Sequence, residues 1–297
     1  MNQHPRWKGK TQGGTLGQKG LFLFFRHMSL SLGYAILSVV VVVFMVINRT
    51  GFKSIWFYFR KIHGYGVVKS FFKTYYNHFL FGQTLLDKFA LFAGRKNSFK
   101  VTITCNELFD ELINSPKGAI IAGSHMGNFE ISGYLLHQNK KRINSIVYGE
   151  ENPVIQQYRK NILEKNNVFQ IPVAADMSHI FTINQVLNRG EIVSMPCDRV
   201  FTGNKTNELD LMGRMATFPT GAYHLAALFD VPVLTLFVMK ESWKHYHVFL
   251  SRIDRFPGDK LNAKEKVDVL SHNYVFELER ILKKYPEQWF NFYKFWN

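Results

Sequence analysis

Twenty consecutive residues, Ser29 to Asn48, carry no charge, and this run most limits what the chain can fold into. From Leu30 to Ile47 every residue is apolar, Gly or Ser, including the run Val39 to Val43. As a helix rising roughly 1.5 Å per residue it would be about 30 Å long, the thickness of one hydrocarbon core. A buried core helix suits a shorter run with a polar face, so this one reads as a membrane helix. A cleaved signal peptide fits less well, because the basic stretch before the run is long and no small-x-small site follows. Arg6, Lys8, Lys10, Lys19 and Arg26 precede it without an acid, and Arg49, Lys53, Arg60 and Lys61 follow it. Both flanks are basic, so the positive-inside rule sets no orientation, and spanning and monotopic insertion stay open.

Residues 52–92 repeat the theme in wetter form. They hold fourteen aromatics, with Lys53, Arg60, Lys61, Lys69, Lys73 and Lys88 among them and Asp87 as the sole acid. That mixture suits amphipathic helices in a headgroup layer, aromatics down and lysines toward phosphates; it equally suits a helical layer packed on the main core.

Composition narrows the partners. With 46% hydrophobic residues, the 297-residue chain is no disordered protein, and two cysteines, Cys105 and Cys197, make no disulfide scaffold. The charge of +15, from 37 Lys+Arg against 22 Asp+Glu, calls for an anionic partner. Twenty-eight Phe among the aromatics favour an anionic membrane surface over nucleic acid, and no nucleic-acid signature occurs.

After Gly94 short strands and helices alternate. Strands are expected at 99–104, 118–123, 143–148, 168–173, 191–195, 231–238 and 245–250. Helices are expected after Asn106 as cap, at 127–137, 153–165, 177–187 closed by Gly190, 219–229 opened by Pro219, and 264–284. This alternation predicts an α/β domain with a mixed sheet covered by helices. The organisation that follows is a basic arm (1–26), a membrane helix (27–49), amphipathic surface helices (50–96) and the α/β domain (97–297).

The segment Gly118-Ala-Ile-Ile-Ala-Gly-Ser-His-Met-Gly-Asn-Phe-Glu130 carries the chemistry. A buried strand ends at small residues and presents His125 in a turn, with Glu130 five positions on. A histidine acts as general base when a carboxylate fixes its other ring nitrogen, and Glu130 is a candidate for that role. Asn128 is placed to cap the following helix or to contact substrate. No nucleophile is evident: there is no Gly-x-Ser-x-Gly elbow, and both cysteines, at the ends of expected strands, read as small core strand residues. The chemistry indicated is a base activating a substrate hydroxyl or amine. His245 and His247 share one face of a strand without further metal ligands and read as surface histidines.

His125-x4-Glu130 resembles the first motif of the lysophospholipid acyltransferase superfamily. Gly190-Glu-Ile-Val-Ser-Met-Pro-Cys-Asp198-Arg199 resembles the second block, Phe218-Pro219-Thr220-Gly221 the third, and Val231-Pro232-Val233 the fourth. The third block departs from the pattern in having Thr220 where an acid is often found. The His-x-Gly-Asn-x-Glu setting, the N-terminal apolar helix and the close Tyr285-Pro-Glu-Gln-Trp-Phe-Asn-Phe-Tyr-Lys-Phe-Trp296 are similar to the lipid A acyltransferase branch. The residues after Arg199 differ from that branch's usual wording, which bears on the acceptor more than on the reaction.

The resemblance implies a membrane-bound O-acyltransferase on the cytoplasmic face of a bacterial inner membrane. The acyl group would come from an acyl carrier protein or coenzyme A thioester as co-substrate, with no resident cofactor and no metal. The acceptor would be a membrane lipid of the lipid A type. An amino-acid lipid, an aryl polyene pigment or a lysophospholipid is the alternative acceptor, and a non-catalytic anionic-lipid-binding module the alternative class. His125 would deprotonate the acceptor, and Glu130 would orient it. Arg199 would bind a phosphate, with Asp198 positioning it and Arg214 as a second candidate. Phe218, Pro219, Thr220 and Gly221 would line the substrate, with N–H groups at the start of the following helix facing an anionic oxygen.

Overall fold

In the computed structural model the described residues are 29–92, 94–95, 98–129, 131, 140–147, 160, 163–173, 176, 178–201, 203, 205–258 and 261–296. The basic arm, Glu130 and most of the helices expected at 127–137 and 153–165 lie outside them.

The apolar run is a helix, α1 (Leu30–Ile47), begun by Ser29, whose hydroxyl accepts from the Leu32 N–H. Asn48 ends it and starts α2 (Arg49–Phe57) by accepting from the Gly51 N–H at 3.1 Å. A π-helical turn (Tyr58–Ile62) and a left-handed Gly64 then lead into the long helix α3 (Val67–Phe92). Helix α1 packs along α3 and approaches closely at Gly82, where an added Cβ would sit 2.5 Å from the Leu37 side chain.

The body comprises β1 (Lys100–Thr104), α4 (Asn106–Asn114), β2 (Ala119–Gly123), β3 (Ile143–Val147), β4 (Val168–Pro172), α5 (Ser178–Asn188) and β5 (Ile192–Pro196). A hairpin of β6 (Thr206–Leu211) and β7 (Arg214–Pro219) follows, then α6 (Gly221–Phe229), β8 (Val233–Ser242), β9 (His245–Arg252) and α7 (Ala263–Lys284). Seven strands form one sheet in the order β1-β9-β8-β2-β5-β3-β4; its pairs are parallel except β8 with β9. The expected mixed sheet covered by helices is thus present.

Side chains alternate along a strand, so a strand buried on both faces feeds two cores. Ile120 and Ala122 of β2 join α5, α6 and α7 on one face. Ala119 and Ile121 join Leu30, Tyr34, Ala90 and Leu91 on the other, so α1 and α3 cover that face of the sheet.

Four local expectations are corrected. Cys105, not Asn106, is the residue preceding α4; it is exposed and left-handed at φ 61°, so it is neither a strand nor a core residue. Cys197 is buried, but just past β5. Pro219 ends β7, and α6 starts at Gly221 behind Thr220. The β6–β7 hairpin was not expected; it turns on Met212 and Gly213, both at positive φ.

Candidate active site

Strands β2 and β5 are parallel neighbours whose last residues, Gly123 and Pro196, are register partners. The pairing is prolonged by the Cys197 N–H, which donates to the Gly123 carbonyl at 2.9 Å. Two residues beyond each end stand His125 and Asp198, so the register alone brings them together at the carboxyl ends of the strands, where sites of open α/β sheets form.

Nδ1 of His125 lies 2.8 Å from Asp198 Oδ1, and the His125 backbone N–H donates to Oδ2 at 2.8 Å. The indole N–H of Trp289 donates to Oδ2 as well, at 3.3 Å. Burial pushes the Asp198 carboxyl up, but the His125 charge, its hydrogen bonds and the Arg199 guanidinium outweigh burial and hold it down at about 2. The carboxylate therefore stays ionised, buried at 1% exposure, while the imidazole keeps 23% of its side-chain surface accessible. With Nδ1 occupied, Nε2 is the nitrogen able to exchange a proton with a substrate.

The turn after His125 is sewn to two other elements. Gly127 donates its N–H to the Gln288 carbonyl at 2.7 Å, and Asn128 donates its N–H to Val238 at 2.8 Å. Gly127 has φ +55°, and an added Cβ would collide with the Val238 carbonyl, so only glycine fits. Phe290 donates its N–H to the His125 carbonyl at 3.2 Å. From behind, the Tyr274 hydroxyl on α7 donates to the Gly123 carbonyl at 2.9 Å.

The remaining sequence candidates divide. Asn128 is buried, and its side-chain amide donates to the Thr84 carbonyl at 3.3 Å and the Tyr246 hydroxyl at 3.4 Å. Arg199 donates from Nη2 to the Phe290 carbonyl at 3.0 Å, with its guanidinium 5.6 Å from the Tyr293 ring centre. Burial lowers its pKa more than neighbouring Asp198 raises it. Arg214 stands apart, exposed at the start of β7 with its guanidinium over the Phe57 ring. Phe218 is fully buried and packs edge-on to Tyr274 and Phe295. Buried Pro219 and Thr220 follow it, and the Thr220 N–H donates to Lys205. Gly221 opens the first turn of α6. Glu130 lies outside the described residues.

Burial pushes the Cys197 thiol well up, which keeps it protonated and a poor nucleophile. Among the described residues no group of three or more His, Cys, Asp or Glu side chains stands ready for a metal. Nε2 of His245 and His247 pairs with Thr102 and Thr104 on the neighbouring strand. Sequence reasoning gave Trp289 and Phe290 no role at the site; the hint available was that these residues fall in the closing segment of the resemblance.

A histidine backed by an ionised, buried aspartate at the ends of parallel strands in an α/β fold is an arrangement able to do general-base chemistry. The family model for the bacterial lipid A biosynthesis acyltransferases matches residues 81–297. The chain belongs to that family, which implies an acyltransferase. Comparison with curated proteins gave no match.

Proposed function

We propose that the protein is a membrane-bound O-acyltransferase that moves a fatty acyl group from an acyl thioester to a hydroxyl of a lipid A precursor. Acyl carrier protein or coenzyme A carries the acyl group. The observation that carries this reading is the His125–Asp198 pair, with Nε2 left for the substrate, in a chain of this family.

The chemistry needs no covalent enzyme intermediate. Nε2 of His125 takes the proton of the acceptor hydroxyl as the oxygen bonds to the thioester carbonyl carbon. The tetrahedral intermediate collapses, the carbon–sulfur bond breaks, and the imidazolium returns its proton to the leaving thiolate. Asp198 remains ionised and balances the imidazolium charge. Glu130 is retained as a second carboxylate acting on His125. Arg199 is the proposed phosphate contact, with Arg214 as the second candidate, and the first turn of α6, from Gly221, the proposed N–H donor to the developing oxyanion.

The membrane part of the proposal rests on α1, whose outward residues Val39 and Ile47 are 67% and 73% exposed. Exposed Val68 and Phe72 continue that apolar surface on α3. In this reading residues 27–49 enter the bilayer, 50–96 lie at its surface, and the domain from 97 onward faces the cytoplasm of the bacterial inner membrane.

The test is acyl transfer by the full chain in vesicles, with acyl carrier protein and coenzyme A thioesters supplied separately. The acceptor is a lipid A precursor or a lysophospholipid, and products are read by mass spectrometry. An ester on the lipid A precursor that vanishes with His125→Ala is expected. Transfer to the lysophospholipid alone would overturn the acceptor.

A further inference from the structure

Away from the reacting histidine, five elements converge on a buried ion pair. Lys240 on β8 and Asp87 on α3 are bonded to each other, with side-chain exposures of 2% and 0%. The Tyr34 hydroxyl on α1 donates to Asp87 Oδ1, and the Tyr246 hydroxyl on β9 donates to Oδ2. Lys240 Nζ also lies 3.0 Å from the Tyr34 hydroxyl, 3.3 Å from the Tyr246 hydroxyl and 3.1 Å from the Trp243 carbonyl in the β8–β9 turn. Two charges taken out of water carry a large desolvation cost, and apolar residues of equal volume often fill such a place at no loss of stability. Fold stability alone is therefore a weak reason for the pair.

The network runs on to the turn of the site by two routes. Along one, the Tyr246 hydroxyl accepts from the Asn128 side-chain amide at 3.4 Å, three residues from His125. Along the other, the Gln288 side chain clamps the Lys240 backbone. It accepts from the Lys240 N–H at 2.8 Å and donates to the Lys240 carbonyl at 2.8 Å, and the Gln288 carbonyl holds the Gly127 N–H. At the opposite end the network holds Tyr34, whose ring lies 6.3 Å from that of half-exposed Trp243.

We infer that Asp87, Lys240 and Tyr246 are positioning residues that couple the seating of the apolar helix α1 to the geometry of the His125 turn. This rests on the reading of His125 as the base. It makes full activity conditional on α1 being docked against α3 and the sheet, with the ion pair as the joint. Tyr34 is the contact through which α1 enters that joint, and Asn128 the contact through which the joint holds the turn.

The test uses the full chain in vesicles. Tyr246→Phe and Tyr34→Phe each remove one hydroxyl and leave the packing, while the pair Asp87→Leu with Lys240→Met replaces both charges by apolar groups. Three quantities are read: kcat and KM, the thermal unfolding midpoint, and the rate at which diethyl pyrocarbonate modifies His125, resolved by peptide mass mapping across pH. Misplacement of a reacting group by about 1 Å can cost on the order of 100-fold, so each variant is expected to lose about 10- to 100-fold in kcat with KM within about twofold. The His125 modification profile should shift with it, and the unfolding midpoint should stay near the parent's. Variants that fold and keep both parental kcat and the parental modification profile would overturn the coupling. If the apolar double variant fails to fold, the two tyrosine variants decide. His125→Ala runs alongside: retained activity there sinks the base assignment, and the modification profile in the tyrosine variants still settles whether the joint reaches the turn.

Discussion

His125 binds Asp198 twice, through Nδ1 to one carboxylate oxygen and through its backbone N–H to the other, each at 2.8 Å. The double hold fixes both the ring and the peptide that carries it, and one aspartate serves as orienter and as counter-charge.

Removing the base should stop the reaction without abolishing binding. His125→Ala is expected to lower kcat by about 10² to 10⁴ with a smaller change in KM. Asp198→Asn should fall in the same direction, because the amide can stabilise the wrong tautomer, and Glu130→Gln should also lower kcat. A stable acyl ester or thioester trapped on Ser124 or Cys197 would refute the mechanism without an enzyme nucleophile.

Asp198 also predicts an acid limb. Its carboxyl is held at about 2 against an ordinary value of 3.8, so between those values the unfolded chain binds more protons than the folded one. The stability it contributes, on the order of 2 kcal/mol, is fully present above about pH 4 and is lost as pH falls toward 2. Unfolding measured from pH 5 to 2 should show this slope in the parent and a shallower one in Asp198→Asn. Equal slopes would mean that the carboxylate is not held as described.

Gly127→Ala places a side chain at φ +55° against the Val238 carbonyl. It should destabilise the fold by more than about 1 kcal/mol, since the substitution is incompatible with the native backbone. Denaturant unfolding in detergent checks this, and an unchanged midpoint would show that the turn can move away from β8.

Exposed Lys53, Lys61 and Lys69 should steer the protein to anionic surfaces. Replacing all three by Ser is expected to weaken binding to anionic vesicles at low salt, with little effect above about 0.5 M salt, where charges are screened. Carbonate washing should leave the parent chain in the membrane through α1. Equal parental binding to neutral and anionic vesicles would remove the electrostatic part.

Arg199 separates two roles. Its bond to the Phe290 carbonyl ties the segment after α7 to the strand end, and its charge is proposed to meet a phosphate. Arg199→Lys should keep part of the activity, because charge persists without the planar fork, while Arg199→Ala should raise KM for the phosphate-bearing partner. If KM for donor and acceptor are both unchanged in the Ala variant, the phosphate role passes to Arg214 or is dropped.

The strands of the main sheet were legible either as short apolar runs, as in β2 and β8, or as apolar–polar alternation, as in β1 and β9. The β6–β7 hairpin was not. Thr206–Leu211 buries only Leu209 and Leu211, and its turn on Met212-Gly213 lacks the usual Asn-Gly mark. His125 was visible from its strand end, whereas Asp198 was assigned to Arg199, because which strands are neighbours, and in what register, is not written in either segment. The Asp87–Lys240 pair was invisible for the same reason: 153 positions separate two residues that no periodicity relates. The four motif blocks, taken together, pointed to the family that local pattern alone did not name.

Trp289 and Phe290 bind Asp198 and His125, so the two halves of the site are closed by residues that leave the ribosome after both of them. A nascent chain that has emerged as far as residue 285 already holds the histidine, the aspartate and the apolar helix, but neither the indole nor the peptide that completes their enclosure. On the proposed membrane reading, insertion of the apolar helix runs ahead of the closing of the His125–Asp198 pair, so anchoring would precede acyl transfer.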